Sequence, residues 1–172
     1  MHRSDPKKQP ISFGRIYAQS QTFRGLFQDG MTLVEETAAY LDGDGRTAAK
    51  NLGRPGSIVY ATESMRLTTR LMQLASWLLL HRSVNEGDMT IGQASEEKRK
   101  IKLDQLATNM SGPGWDQLPD SFRDLVARSL KLQKRIERID AALFEQVQEI
   151  RGDSNPVGEQ IAALSTELGR RG

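Results

Sequence analysis

Cysteine is absent from the 172 residues, which excludes disulfides and thiolate metal sites and is compatible with a reducing compartment. Histidine occurs twice, as His2 and His81. Neither has the Glu-x-x-His spacing that lets a helical bundle hold a metal, so no metal or other cofactor is expected. Aromatic residues are only 6% of the chain, and β-branched runs are scarce, which argues against a core built on sheets. Long apolar runs are missing as well. The most apolar stretch, Leu71–Leu80, is ten residues long and contains Gln73, where a bilayer span needs roughly 20 apolar residues. The N-terminal residues carry no apolar signal segment, so a cytoplasmic, non-membrane protein is expected. An excess of one charge is lacking too. Lysine and arginine total 24 against 22 acids, a net of +2. From 120 to 151 the two signs are interleaved, whereas a phosphate-tracking surface masses basic residues on one face. Partnership with nucleic acid therefore has little support, although the pI near 9.0 and the Lys131–Arg138 patch keep a DNA-associated regulator as an alternative.

Catalytic signatures are equally missing. There is no phosphate-cradling glycine loop, no Gly-x-Ser-x-Gly and no dinucleotide fingerprint. Asp42-Gly43-Asp44-Gly45 begins like a calcium loop, but Arg46 stands where a ligand should follow and Lys50 where the series would continue. His81 has no carboxylate three or four residues before it. These absences describe a protein that is not an enzyme.

What remains is helical periodicity. A polar arm, 1–18, carries Pro6 and Pro10 and is expected to be flexible. The first helix is predicted from Ser20, with Phe23, Leu26, Phe27, Gly30, Leu33, Val34, Ala38 and Leu41 on one face. It stops in the glycines at 43 and 45, and a loop follows. A second helix is predicted from Pro55 to about Asn85, before Gly87. Its apolar rows, Leu67/Leu71/Leu74/Leu78 and Met65/Met72/Ala75/Leu79, form one wide face. Such a helix belongs in the middle of a bundle or against a second subunit. Thr90-x-x-Gln93 has capping-box spacing and opens a shorter third helix, with Ile91, Ala94, Ile101 and Leu106 inward, broken at Ser111–Gly114. The last helix follows Pro119 and repeats every seven residues: Phe122, Ser129, Ile136, Leu143 and Ile150 at one position, Leu125, Leu132, Ile139 and Gln146 at the other. This seam is about 45 Å long. It is either the core of the molecule's own bundle or an intersubunit seam. Gly152 ends it, and 151–172 is expected to be a mostly disordered tail. The fold class is all-α: an up-and-down bundle of three long helices plus one shorter helix over 19–150, between flexible tails.

Glu63, Arg66, Arg70, Gln73 and Trp77 lie three and four apart and so share a stripe of the second helix. Two readings stand: an inter-helix network with Arg66 and Arg70 paired to Glu35 or Glu36, or a protein-docking stripe, arginine and tryptophan being common anchors.

Three strings resemble a known family: Met31–Gly43 (MTLVEETAAYLDG), Tyr60–Leu80 (YATESMRLTTRLMQLASWLLL) and Val84–Thr90 (VNEGDMT). They are similar to the RcdA family (regulator of CtrA degradation, DUF1465) of alphaproteobacteria. The resemblance implies three long helices, a homodimer and a proteolytic adaptor. Its partners would be the protease ClpXP, CpdR-like and PopA-like proteins, and CtrA-like regulator substrates, with localisation at a cell pole. A structural scaffold of a polar complex is the other non-enzymatic alternative. No short motif transfers the family's protease or cargo contacts to particular residues here.

Overall fold

The computed structural model describes residues 13–101 and 108–153, with side chains over 20–101 and 108–143. The expectations placed on 1–12, on Leu106 and on 154–172 lie outside the described residues. Packing divides the chain after Gln133, into Met1–Gln133 and Lys134–Gly172. No strand occurs among the described residues. The elements are α1 (Phe13–Asp42), α2 (Asp44–Ala49), α3 (Arg54–Asn85), α4 (Ile91–Lys98), α5 (Pro113–Asp116) and α6 (Asp120–Asp153). An all-α bundle built on three long helices is thus the observed fold.

Helix starts and stops follow local chemistry. Gly53 is the extended N-cap of α3 and Pro55 sits in its first turn, where the missing N–H costs nothing. At its other end Gly87 takes φ +81°, which lets the Asp88 N–H donate back to the Ser83 carbonyl at 2.9 Å and closes the helix. The capping box of α4 is present as predicted: the Gln93 N–H donates to Thr90 Oγ1 (3.2 Å), and the Thr90 N–H to Gln93 Oε1 (3.0 Å). Asp120 opens α6 at its positive end and pairs with Arg123.

Several boundaries differ from expectation: α4 ends at Lys98, short of Ile101, a short helix α5 forms within the expected break at Ser111–Gly114, and α6 runs through Gly152 to Asp153. Helix α1 begins at Phe13 rather than Ser20, because Phe13, Ile16 and Tyr17 extend the same three-and-four spacing upstream and outweigh the serine cap. The expected loop after Gly43 contains α2, with Gly45 buried at a point where Tyr40 leaves no room for a Cβ.

Within the first unit, helix directions can be read from contacts. Phe27 lies under the Arg82 guanidinium (5.1 Å) and Gly30 packs on Leu78, while Tyr40 and Tyr60 both meet Phe122, at 6.2 and 4.8 Å. Helices α1 and α3 therefore run antiparallel. Helix α6 runs alongside α3 in the same direction, since Tyr60 meets Phe122 and Arg70 meets Ser129 and Gln133. The chain between α3 and α6 has to return to the start of α3 for this. It does so by laying α5 there: Gln117 Oε1 accepts from the Gly56 N–H at 3.1 Å, and Gly114 sits against Val59 and the Pro55 carbonyl. The order of directions is up, down, down.

The core holds Leu26, Leu33, Leu67, Leu71, Leu74, Trp77, Leu78, Trp115, Leu118, Phe122, Leu125, Val126 and Leu132. The heptad positions of α6 are buried through Leu132 in the first unit. In the second unit Ile136 is buried, Ile139 is half-buried and Leu143 is exposed, so burial along the seam fades towards its C-terminal end.

Candidate functional site

The stripe on α3 is the obvious place to look for function, and the structure puts most of it inside. Glu63 is 3% exposed, Arg70 1% and Trp77 not at all, whereas Arg66 and Gln73 are half-buried. A buried guanidinium is costly unless every donor is matched, and Arg70 is held accordingly. Its Nη1 donates to Ser129 Oγ at 3.0 Å and its Nε to Gln133 Oε1 at 3.1 Å, both on α6. Its Nη2 donates to Thr108 Oγ1 at 2.8 Å. The Thr108 hydroxyl donates in turn to Glu63 Oε2 at 3.0 Å, and Glu63 Oε1 accepts from Arg66 Nη1 at 2.6 Å. The Ser129 hydroxyl donates in turn to the Val126 carbonyl (2.7 Å). Burial pulls the Arg70 guanidinium below its ordinary range; the Glu63 carboxylate opposes that shift and the Arg66 charge adds to it.

This arrangement is an inter-helix network, with partners other than those expected. Arg66 and Arg70 were to pair with Glu35 or Glu36 on α1. The structure instead turns Arg70 towards α6 and the Thr108 segment and pairs Arg66 within its own helix, while Glu36 takes Arg128. That carboxylate raises the Arg128 guanidinium, chiefly through their hydrogen bond. The reason is helix direction: α6, parallel to α3, brings Ser129 and Gln133 to the level of Arg70. Chemically the site is a clamp. It joins α3, α6 and the returning segment through charge-assisted hydrogen bonds. Docking through this stripe would fall to Arg66 and Gln73, which keep a solvent-facing part.

Ser129 left a signal in the sequence, a small polar residue at a heptad position otherwise filled by apolar side chains. Thr108 left none, because nothing local marks it as the bridge between Glu63 and Arg70. His81 stacks on Trp77 with ring centroids 4.0 Å apart. Among the described residues no three of His, Asp and Glu converge as metal ligands. Asp42 ends α1 and Asp44 opens α2, so the calcium-like string forms no ligand loop. No helix among the described residues is long and apolar enough to cross a membrane.

A second correction concerns the wide apolar face of α3. The row Leu67/Leu71/Leu74/Leu78 is buried, but Met65 is 73%, Met72 67% and Leu79 51% exposed, and Ile58 joins them at 60%. Ile91, expected inward on α4, is exposed too, while Ala94 is buried. The cause is geometric. Helix α1, helix α6 and the returning segment cover one side of α3, whereas on its opposite side the Met89–Ile101 stretch comes beside the row only at its end, around Ser76 and Leu79.

Comparison with known proteins places this architecture. The profile of the family described as a protein of unknown function (DUF1465) matches residues 15–168. The chain belongs to the DUF1465 family. Among solved structures, the crystal structure of RcdA from Caulobacter crescentus CB15 is 46% identical, with a TM-score of 0.56, over 69% of this chain and 87% of that one. Recognition of an RcdA-family chain from the three strings is therefore supported by both sequence and fold. No curated protein matches. In this DUF1465 member two of the strings cover the α1 end and the Glu63–Trp77 stripe, so the residues carrying the resemblance include those of the clamp.

Proposed function

We infer that this chain is a non-enzymatic adaptor that delivers CtrA-like cell-cycle regulators to the ATP-dependent protease ClpXP. What carries the reading is kinship: 46% identity to RcdA over 87% of that protein's chain, in a family whose resemblance implies regulated degradation. The physics required is modest. An adaptor that holds cargo and protease together raises the local cargo concentration to about the millimolar range without new chemistry. A rigid helical scaffold with a firmly clamped core suits such work, since binding then costs little ordering. CpdR-like and PopA-like proteins are the expected co-partners, and the cytoplasm, at a cell pole, is the expected location.

Reconstituted proteolysis provides the test. Purified ClpXP, primed with a CpdR-like protein and supplied with a PopA-like protein, degrades a CtrA-like substrate with and without this chain. Several-fold acceleration on adding the chain is the expected result. Unchanged degradation over a panel of short-lived regulators would remove the reading.

A further inference from the structure

The corner where α2 leads into α3 carries charge of one sign. From Gly45 to Thr62 the chain holds Arg46, Lys50 and Arg54 and no acid. All three cations are exposed. Lys50 caps α2 in helical conformation (φ −66°, ψ −24°), so it stands one turn beyond Arg46 on the same face, about 6 Å away. Thr47 and Asn51 are exposed beside them and bring further hydrogen-bonding groups. Arg54 follows four residues after Lys50, a reach of at most about 13 Å, so the three charges lie within about 20 Å of one another.

Many exposed cations of this protein are matched inside the chain. Arg66, Arg82, Arg99, Lys100, Arg123 and Arg128 each pair with a carboxylate. Among the described residues Arg46, Lys50 and Arg54 have no such partner. Arg54 is also set against the electrostatics of its own helix. It opens α3, whose first turn holds no acid and whose cap offers no side chain. The N-terminal end of a helix carries positive partial charge, so a cation there is unfavourable and a carboxylate favourable. Residues that oppose their local structure are expected where a surface serves another purpose.

We propose that the α2–α3 corner is a docking surface for an acidic segment of a partner protein, with Arg46, Lys50 and Arg54 meeting its carboxylates. A short acidic peptide fits this corner better than a nucleic acid. Exposed acids stand close by: Asp44 opens α2, and Asp116 belongs to α5, which packs at the start of α3. A phosphate backbone running on past the corner would meet those like charges, whereas two or three carboxylates of a peptide need not. Side chains on one face of an extended peptide stand about 6.6 Å apart, close to the step from Arg46 to Lys50, and an arginine can take a carboxylate with two parallel hydrogen bonds. Exposed charges of this kind contribute association rate and salt-dependent affinity rather than deep burial. The proposal goes beyond the adaptor reading and does not depend on it.

The test is fluorescence anisotropy of a labelled peptide of alternating glutamate and serine, titrated with the full chain. Binding at about 50 mM salt is expected to weaken roughly fivefold or more by about 300 mM. R46Q/K50Q/R54Q alters exposed positions only, and it is expected to keep its helical circular dichroism while affinity falls roughly tenfold, the sum of three exposed charge contacts. K131Q/K134Q/R138Q removes the same charge from exposed positions of α6 and is expected to leave affinity within about twofold. Equal losses in the two variants would reduce the binding to net charge and overturn the proposal. No binding of the peptide would overturn it too, as would binding of a single-stranded DNA of equal charge as tight as that of the peptide. R54E separates docking from folding. Its urea midpoint is expected to rise, because a carboxylate suits the positive end of α3, while peptide affinity falls. A midpoint that falls would assign Arg54 to the fold and overturn its part in docking.

Discussion

Arg70 shows how one residue can serve three elements. Its guanidinium ties α3 to Ser129 and Gln133 of α6 and to Thr108 of the returning segment, and Thr108 ties on to Glu63. Truncation to alanine strips Ser129, Gln133 and Thr108 of their shared donor and leaves the buried Glu63 with Arg66 as its ion-pair partner, and loss of a partner from a buried ionic network costs about 3–5 kcal/mol. Arg70→Ala is therefore expected to lower the urea midpoint strongly. Arg70→Lys keeps the charge but cannot reach three acceptors with one ammonium, and it should fall between the two. If Arg70→Ala unfolds at the wild-type midpoint, the clamp is not holding the helices. If instead stability holds and partner binding is lost, the stripe acts as a docking surface. The sequence set these five residues on one stripe but left their role open, because spacing along a helix cannot say which neighbour the stripe will face.

Close approach governs at the level of elements. The return of the chain to the start of α3 depends on glycines that admit α5. At Gly114 an added Cβ would lie 2.9 Å from the Pro55 carbonyl oxygen, and backbone cannot swing aside as the end of a side chain can. Gly114→Ala should therefore lift α5, expose Trp115 and cost about 1–3 kcal/mol, as overpacking does. Urea unfolding followed by tryptophan fluorescence would measure both effects, and an unchanged emission with an unchanged midpoint would show that α5 tolerates the methyl. The elements themselves were largely legible. Thr90 and Gln93 form the box their spacing required, Gly87 ends α3 with the positive φ that glycine permits, and Pro119 precedes α6. The early start of α1 and the turn of α2 were not: the apolar spacing continues upstream of the serine read as a cap, and Gly45 of the glycine pair read as a break packs against Tyr40.

The whole molecule presents two different apolar programmes on one helix. The leucine row of α3 is spent on the bundle and the methionine row is not.

The sequence by itself determined the class of the protein: helices from their period, helix ends from proline, glycine and the capping box, and the family from three strings of residues. Those properties are local, set by a residue and its neighbours within a few turns. Only the tertiary structure decided which side of α3 faces inward, that α6 runs parallel to α3, and that Thr108 stands between Glu63 and Arg70. An amphipathic pattern states that a face must be covered, but what covers it depends on the path of the chain between helices. Here that path returns along one side of α3, and among the described residues the row Ile58, Met65, Met72 and Leu79 on the other side stays exposed.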